Sequence, residues 1–122
     1  MILVHIQQID TAKVLLRSAS TLATQLIKGF GVLSFVDADE LIAAREDELK
    51  ALLPDTQITV RNSKTNILSA VCEELDASFL FIQLPNGHTK SIRTLLNDCR
   101  DLRIPYLFYN LPQDSVESLR RQ

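Results

Sequence analysis

Short apolar blocks alternate along this chain with longer stretches in which apolar residues recur every three or four positions. The blocks Ile2–Ile6 (ILVHI), Val32–Val36 (VLSFV), Thr56–Val60 (TQITV), Phe79–Ile82 (FLFI) and Pro105–Tyr109 (PYLFY) read as five β-strands. The stretches between them carry helical stripes. Val14, Leu15, Ala19, Leu22, Ala23, Leu26 and Ile27 form the first stripe, and Leu41, Ile42, Leu49, Leu52 and Leu53 the second. Ile67, Leu68, Val71, Cys72 and Leu75 form the third, and Ile92, Leu95, Leu96, Cys99 and Leu102 the fourth. Strand and helix therefore alternate throughout, a pattern that predicts an α/β fold with a doubly wound parallel sheet and helices on both faces.

Local signals mark the ends of these elements. Asp10 or Thr11 is placed to cap the first helix, and Gly29 to close it in a left-handed conformation. Asp37 and Asp39 put negative charge at the start of the second helix, whose AREDELK segment faces water, and Pro54-Asp55 ends it. Ser63 is placed to cap the third helix. The strand at Thr56–Val60 alternates and reads as wetter on one face, near an edge. Residues 1–109 make one domain. Residues 110–122 form a tail, in which Asp114 and Glu117 have capping-box spacing for a short terminal helix.

Composition narrows the function classes. Over 122 residues, 46% hydrophobic and 23% charged are ordinary globular values that suggest neither disorder nor a membrane protein. A net charge of -2 without any Lys/Arg block argues against a nucleic-acid surface. No apolar run is long enough to span a bilayer, and no secretory leader precedes the first strand, so a cytoplasmic location is expected. Cys72 and Cys99 fall on apolar stripes and read as reduced, buried thiols. Together with His5 and His88 they are too few and too scattered for a metal site.

The loop after the fourth strand, Leu84-Pro85-Asn86-Gly87-His88-Thr89, stands at the carboxyl ends of the strands, where open α/β sheets bind ligands. Gly87-His88-Thr89-Lys90-Ser91 is not a phosphate-binding P-loop, because Leu84 and Thr89 replace the two required glycines. Lys90 and Arg93 could help the fourth helix hold a phosphate or sulfate, against the plainer reading of solvated side chains. His88 lacks a sequence-visible catalytic partner, and His5, within a central strand, reads as structural. A receiver-type acidic pocket is excluded by Gln7-Gln8 and Arg61-Asn62, which stand where acids are required. Tyr106, Phe108 and Tyr109 make the fifth strand large on both faces. Such an edge needs cover, either from a second copy or from the tail.

Three segments resemble the universal stress protein family. ILVHIQQIDTAKVLLRSASTLA is similar to that family's opening strand and helix, which end in a Leu-Ala pair. NILSAVCEELDASFLFIQL is similar to its third helix and fourth strand, and IPYLFY to its last strand. The likeness spans the chain to Tyr109 and implies a five-stranded sheet of order 3-2-1-4-5, often dimerised through the fifth strand. It also implies, in one branch, an ATP site built on an Asp ending the first strand and a glycine-rich loop after the fourth. Here Gln7 takes the place of the Asp, and the loop has one glycine, Gly87, with Pro85 removing a backbone donor.

The resemblance with these departures implies the branch without ATP: a dimeric regulatory or interaction domain with a degenerate nucleotide site and no catalysis. Such domains also occur attached to membrane transporters, so a protein or transporter partner fits. No cofactor is expected, and ATP or AMP is disfavoured. The alternative is a nucleotide- or phosphate-binding stress-response protein with a non-standard loop at 83–93, using Gln7, Val36, Gly87, Lys90 and Arg93. An adenine-nucleotide α-hydrolase-like enzyme relying on His88 or Lys90 lacks the further catalytic groups it would need.

Overall fold

The computed structural model describes residues 1–63, 68–84 and 89–109. Its elements are β1 (Ile2–Ile6), α1 (Ile9–Gln25), β2 (Phe30–Ser34), a 3-10 turn (Asp39–Leu41) and α2 (Ile42–Leu52), followed by β3 (Ile58–Asn62), α3 (Leu68–Glu74), β4 (Phe79–Gln83), α4 (Thr89–Cys99) and β5 (Tyr106–Tyr109). The strands form one sheet in the order β3-β2-β1-β4-β5. Every pairing is parallel. The expected α/β class, doubly wound arrangement and strand order are all present.

β1 lies at the centre and is buried along its whole length. Its side chains divide by parity, as strand geometry requires. Ile2, Val4 and Ile6 enter a core with Ala12, Leu15, Leu16 and Ala19 of α1 and Leu49 of α2. Leu3 enters a second core with Leu68, Val71 and Cys72 of α3 and Leu95 and Cys99 of α4. Two helices thus cover each face of the sheet. That arrangement explains why the inner strands β1, β2 and β4 read as apolar runs, whereas the edge strand β3 alternates.

Strand pairing overrode the expected strand boundaries. β2 begins at Phe30, two residues before the expected Val32, because Phe30 and Gly31 pair with Ile2 and Leu3. Gly31 weakens a strand on propensity, but a Cβ there would come within 2.6 Å of Leu3 Cδ2 and 3.3 Å of the Thr59 carbonyl. A larger residue there would force the Leu3 side chain to shift between closely packed strands, which accounts for the glycine. β3 is likewise displaced, to Ile58–Asn62, by its register with β2.

Several helix expectations were wrong for identifiable reasons. Neither Asp10 nor Thr11 caps α1, since the N-cap is Gln8 and its side chain makes no capping bond. Gly29 does not supply the left-handed closing residue; Ile27 does, at φ 55°. The Lys28 N–H donates to the Ala23 carbonyl at 2.9 Å and the Ile27 N–H to Thr24 at 3.1 Å, a Schellman closure in which the left-handed position falls on Ile27. α3 closes in the same way, with Asp76 at φ 51° and the Ala77 N–H bonded to the Cys72 carbonyl at 2.9 Å. Ser63 does not cap α3, because its hydroxyl is buried without a hydrogen-bond partner. Val14, Leu26, Ile27, Leu41 and Leu96 were expected to face inward but are exposed; Leu26 and Ile27 lie past the end of α1, and Leu41 lies in the 3-10 turn before α2. The tail at 110–122, with its Asp114–Glu117 capping box, lies outside the described residues, as does Ile67.

Ile27 is 94% exposed, so its side chain gains little packing in return for a left-handed backbone that a β-branched residue resists. Ile27→Gly is therefore expected to raise unfolding stability by about 1 kcal/mol. Urea denaturation with an unchanged m-value checks this.

Candidate functional site

The carboxyl ends of the five strands bring a row of residues together on the α1/α2 face of the sheet. Strand register sets Asn62 beside Ser34, Ser34 beside Ile6, and Gln83 beside Tyr109. Ser34 is fully buried, and Asn62 and Gln83 are almost so. A polar side chain at this depth is costly unless it finds a partner.

Gln83 finds them in the turn between β1 and α1. Its Oε1 accepts the main-chain N–H of Gln7 at 2.7 Å and of Gln8 at 3.1 Å, while its Nε2 donates to the Thr11 hydroxyl. A main-chain N–H can only donate, so the orientation of the amide follows from its partners. Asn62 does the same, more loosely, one turn away. Its Oδ1 accepts the Val36 N–H at 3.4 Å, and its Nδ2 donates to Asp39 Oδ1 at 2.9 Å. In both cases an amide ending one strand grips the turn that follows the neighbouring strand. The Ser34 hydroxyl, between them, is buried without a partner.

The sequence-predicted residues divide accordingly. Gln7 and Val36 are in the crevice, each contributing a main-chain N–H that a side-chain amide already engages. Lys90 lies in the first turn of α4, and Arg93 is exposed further along that helix. Gly87 and His88 lie outside the described residues. Beside Val36, an open hollow of about 270 Å³ is lined by Phe35, Asp37, Leu41, Ala44, Arg45 and Glu48. A larger cleft of about 450 Å³, which includes Cys72, Asp76 and Arg103, lies at the opposite end of the sheet. Gln83 and Asn62 were not singled out from sequence. The available signal was a side-chain amide ending a buried strand, where an unpaired amide is costly.

On the other face, His5 pairs in register with Leu33 and Ile82. Its Nδ1 is buried without a partner. Burial pushes its pKa down from 6.5 to about 4, so it is neutral and shielded at physiological pH. Cys72 is pushed up to about 11, chiefly by burial and further by the neighbouring Cys99 thiol. Cys99 is raised by burial and by Asp98. Both are free thiols held protonated. Among the described residues, no cluster of His, Cys, Asp or Glu is placed to hold a metal ion, and no helix is long and apolar enough to cross a membrane.

On the β5 edge, Tyr106 and Leu107 are 41% and 54% exposed. Phe108 and Tyr109 are half-buried, Phe108 packing against the α3/α4 core and Tyr109 against the α1/α2 core.

Two solved structures share this architecture. The universal stress protein from Archaeoglobus fulgidus superimposes with a TM-score of 0.60 at 17% identity, over 88% of this chain and 96% of that one. The fold is that of the universal stress proteins. A second such protein, solved in complex with cAMP, matches with a TM-score of 0.55 at 14% identity, over 88% of this chain and 95% of its own. No family model matches the sequence, nor does any curated protein.

The His5 environment sets a pH dependence. Between pH 4 and 6.5 the unfolded chain binds a proton that the folded one refuses, so stability is complete above 6.5 and falls as pH drops toward 4. His5→Leu is expected to remove about 3 kcal/mol of that fall. Urea unfolding of both proteins across this range measures the difference.

Proposed function

We propose that this chain is a universal-stress-protein-type regulatory or interaction domain that works as a dimer, without bound nucleotide and without catalysis. One observation carries the reading. The main-chain donors of the β1–α1 turn, at the point where strand order reverses and open α/β sheets take ligands, are already bonded to Gln83. The substitution of Gln7 for the acid found in nucleotide-binding relatives agrees with this. The non-catalytic part of the reading rests on the sequence, in which His88 and Lys90 lack the further catalytic groups an enzyme would need.

Dimerisation through β5 is supported by its edge position and by the exposed apolar pair Tyr106 and Leu107, with Phe108 and Tyr109 behind them. A second copy, or a protein partner, would bury this edge. The second reading, a nucleotide- or phosphate-binding protein using residues 83–93, draws on the structural likeness to a relative solved with cAMP. Lys90 and Arg93 on α4 would supply its positive charge.

A thermal-shift titration with ATP, AMP and cAMP, with and without magnesium, separates the two readings. No shift at millimolar nucleotide is expected. Binding at a hundredfold excess over Kd would add about 2.7 kcal/mol of stability. A saturable shift of that kind would overturn the first reading and support the second. For the dimer, sedimentation equilibrium should show Leu107→Glu as a monomer under conditions where the unaltered protein is a dimer. A monomeric unaltered protein would remove the β5 interface from the proposal.

A further inference from the structure

Gln83 does more than satisfy itself. Its carbonyl oxygen sits where two successive main-chain N–H groups converge, 2.7 and 3.1 Å away, and those groups belong to a turn some 75 residues distant in sequence. Paired N–H donors of this kind receive a phosphate or carboxylate oxygen as readily as an amide oxygen. The third contact, from Nε2 to the Thr11 hydroxyl, fixes the amide from its other side. All three bonds are partly buried, and Gln83 is only 5% exposed.

We propose that Gln83 is a built-in substitute for a ligand, closing the β1–α1 turn from within against oxyanions. The inference deepens the proposed function and rests on its claim that the crevice holds no nucleotide. An external anion meets donors that are already occupied. Because the competing acceptor is tethered, it loses no translational freedom on binding and is present at high effective concentration. The amide oxygen also carries only a partial charge, so it satisfies the turn without adding an ion to a buried site. Asn62 at the next turn shows the weaker version of the same device, with its acceptor 3.4 Å from the Val36 N–H.

Removing the amide would leave the Gln7 and Gln8 donors and the Thr11 hydroxyl without their present partner, free to be met by an oxyanion. Gln83→Ala does this. Gln83→Glu keeps an oxygen acceptor in place and adds a charge that repels anions, so it should remain closed.

The test follows the Gln7 and Gln8 amides by NMR in isotope-labelled protein. In the unaltered chain these amides should be protected from hydrogen exchange, show scalar coupling across the hydrogen bond to the Gln83 side-chain carbonyl, and not respond to inorganic phosphate. In Gln83→Ala their exchange should accelerate by about tenfold or more, the loss expected when a hydrogen bond worth about 1.4 kcal/mol is removed. Inorganic phosphate and AMP should then shift both resonances saturably, and Gln83→Glu should behave like the unaltered protein. Folded Gln83→Ala whose amides stay protected, or which ignores phosphate, overturns the proposal, as does a response to AMP alone. If Gln83→Ala does not fold, the unaltered protein decides, because fast exchange and no coupling at Gln7 and Gln8 would be equally fatal. Nucleotide binding by the unaltered protein tests the proposed function separately, so the two failures are distinguishable.

Discussion

Complete burial of β1 is the constraint on which the rest of the molecule depends. A strand hydrogen-bonded on both edges and covered on both faces has no access to water, so a polar group near it is costly unless it is internally bonded. Parity then assigns its side chains to two cores, and each core needs its own pair of helices. The glycine at position 31 and the displaced ends of β2 and β3 are local consequences of fitting neighbours tightly against this strand.

The same constraint explains the polar row at the strand ends. Where the sheet stops, the turns after β1 and β2 leave main-chain donors at the boundary of the core. The structure meets them with Gln83 and Asn62, each reaching across from the adjacent strand. Opposite them in character is His5, which sits in the interior with an unbonded nitrogen and remains neutral because burial penalises its charge. Burial thus produces different outcomes for polar groups in one sheet: paired amides at Asn62 and Gln83, an unpaired hydroxyl at Ser34 between them, and suppressed ionisation at His5.

The fold was legible because periodicity records burial, and burial is what builds it. All five strands and four helices were visible in the alternation of blocks and stripes, and the strand order came with the resemblance. What the sequence hid were features decided by partners distant along the chain. Stripe spacing placed Ile27 inward, yet helix closure turned it outward at a positive φ that composition would have assigned to Gly29. Asp10 and Thr11 looked like caps because capping is usually local, whereas the turn before α1 is tied down by Gln83 from another strand. Gln7 and Val36 stand at the strand ends, and the engagement of their main-chain N–H groups by side-chain amides depends on a register that no local window contains.

β4 has a double attachment at its end. The side chain of Gln83 holds the β1–α1 turn, while the next residue, Leu84, donates its N–H to the Tyr109 carbonyl of β5 at 3.0 Å. One dipeptide therefore ties the sheet's outer edge to its central crevice. Thermodynamic linkage makes such a connection reciprocal. Any event at the edge that shifted the end of β4 would alter how firmly the crevice is closed, and opening the crevice would feed back on the edge with equal free energy. In this chain the β5 edge and the β1–α1 turn are two ends of the same lever.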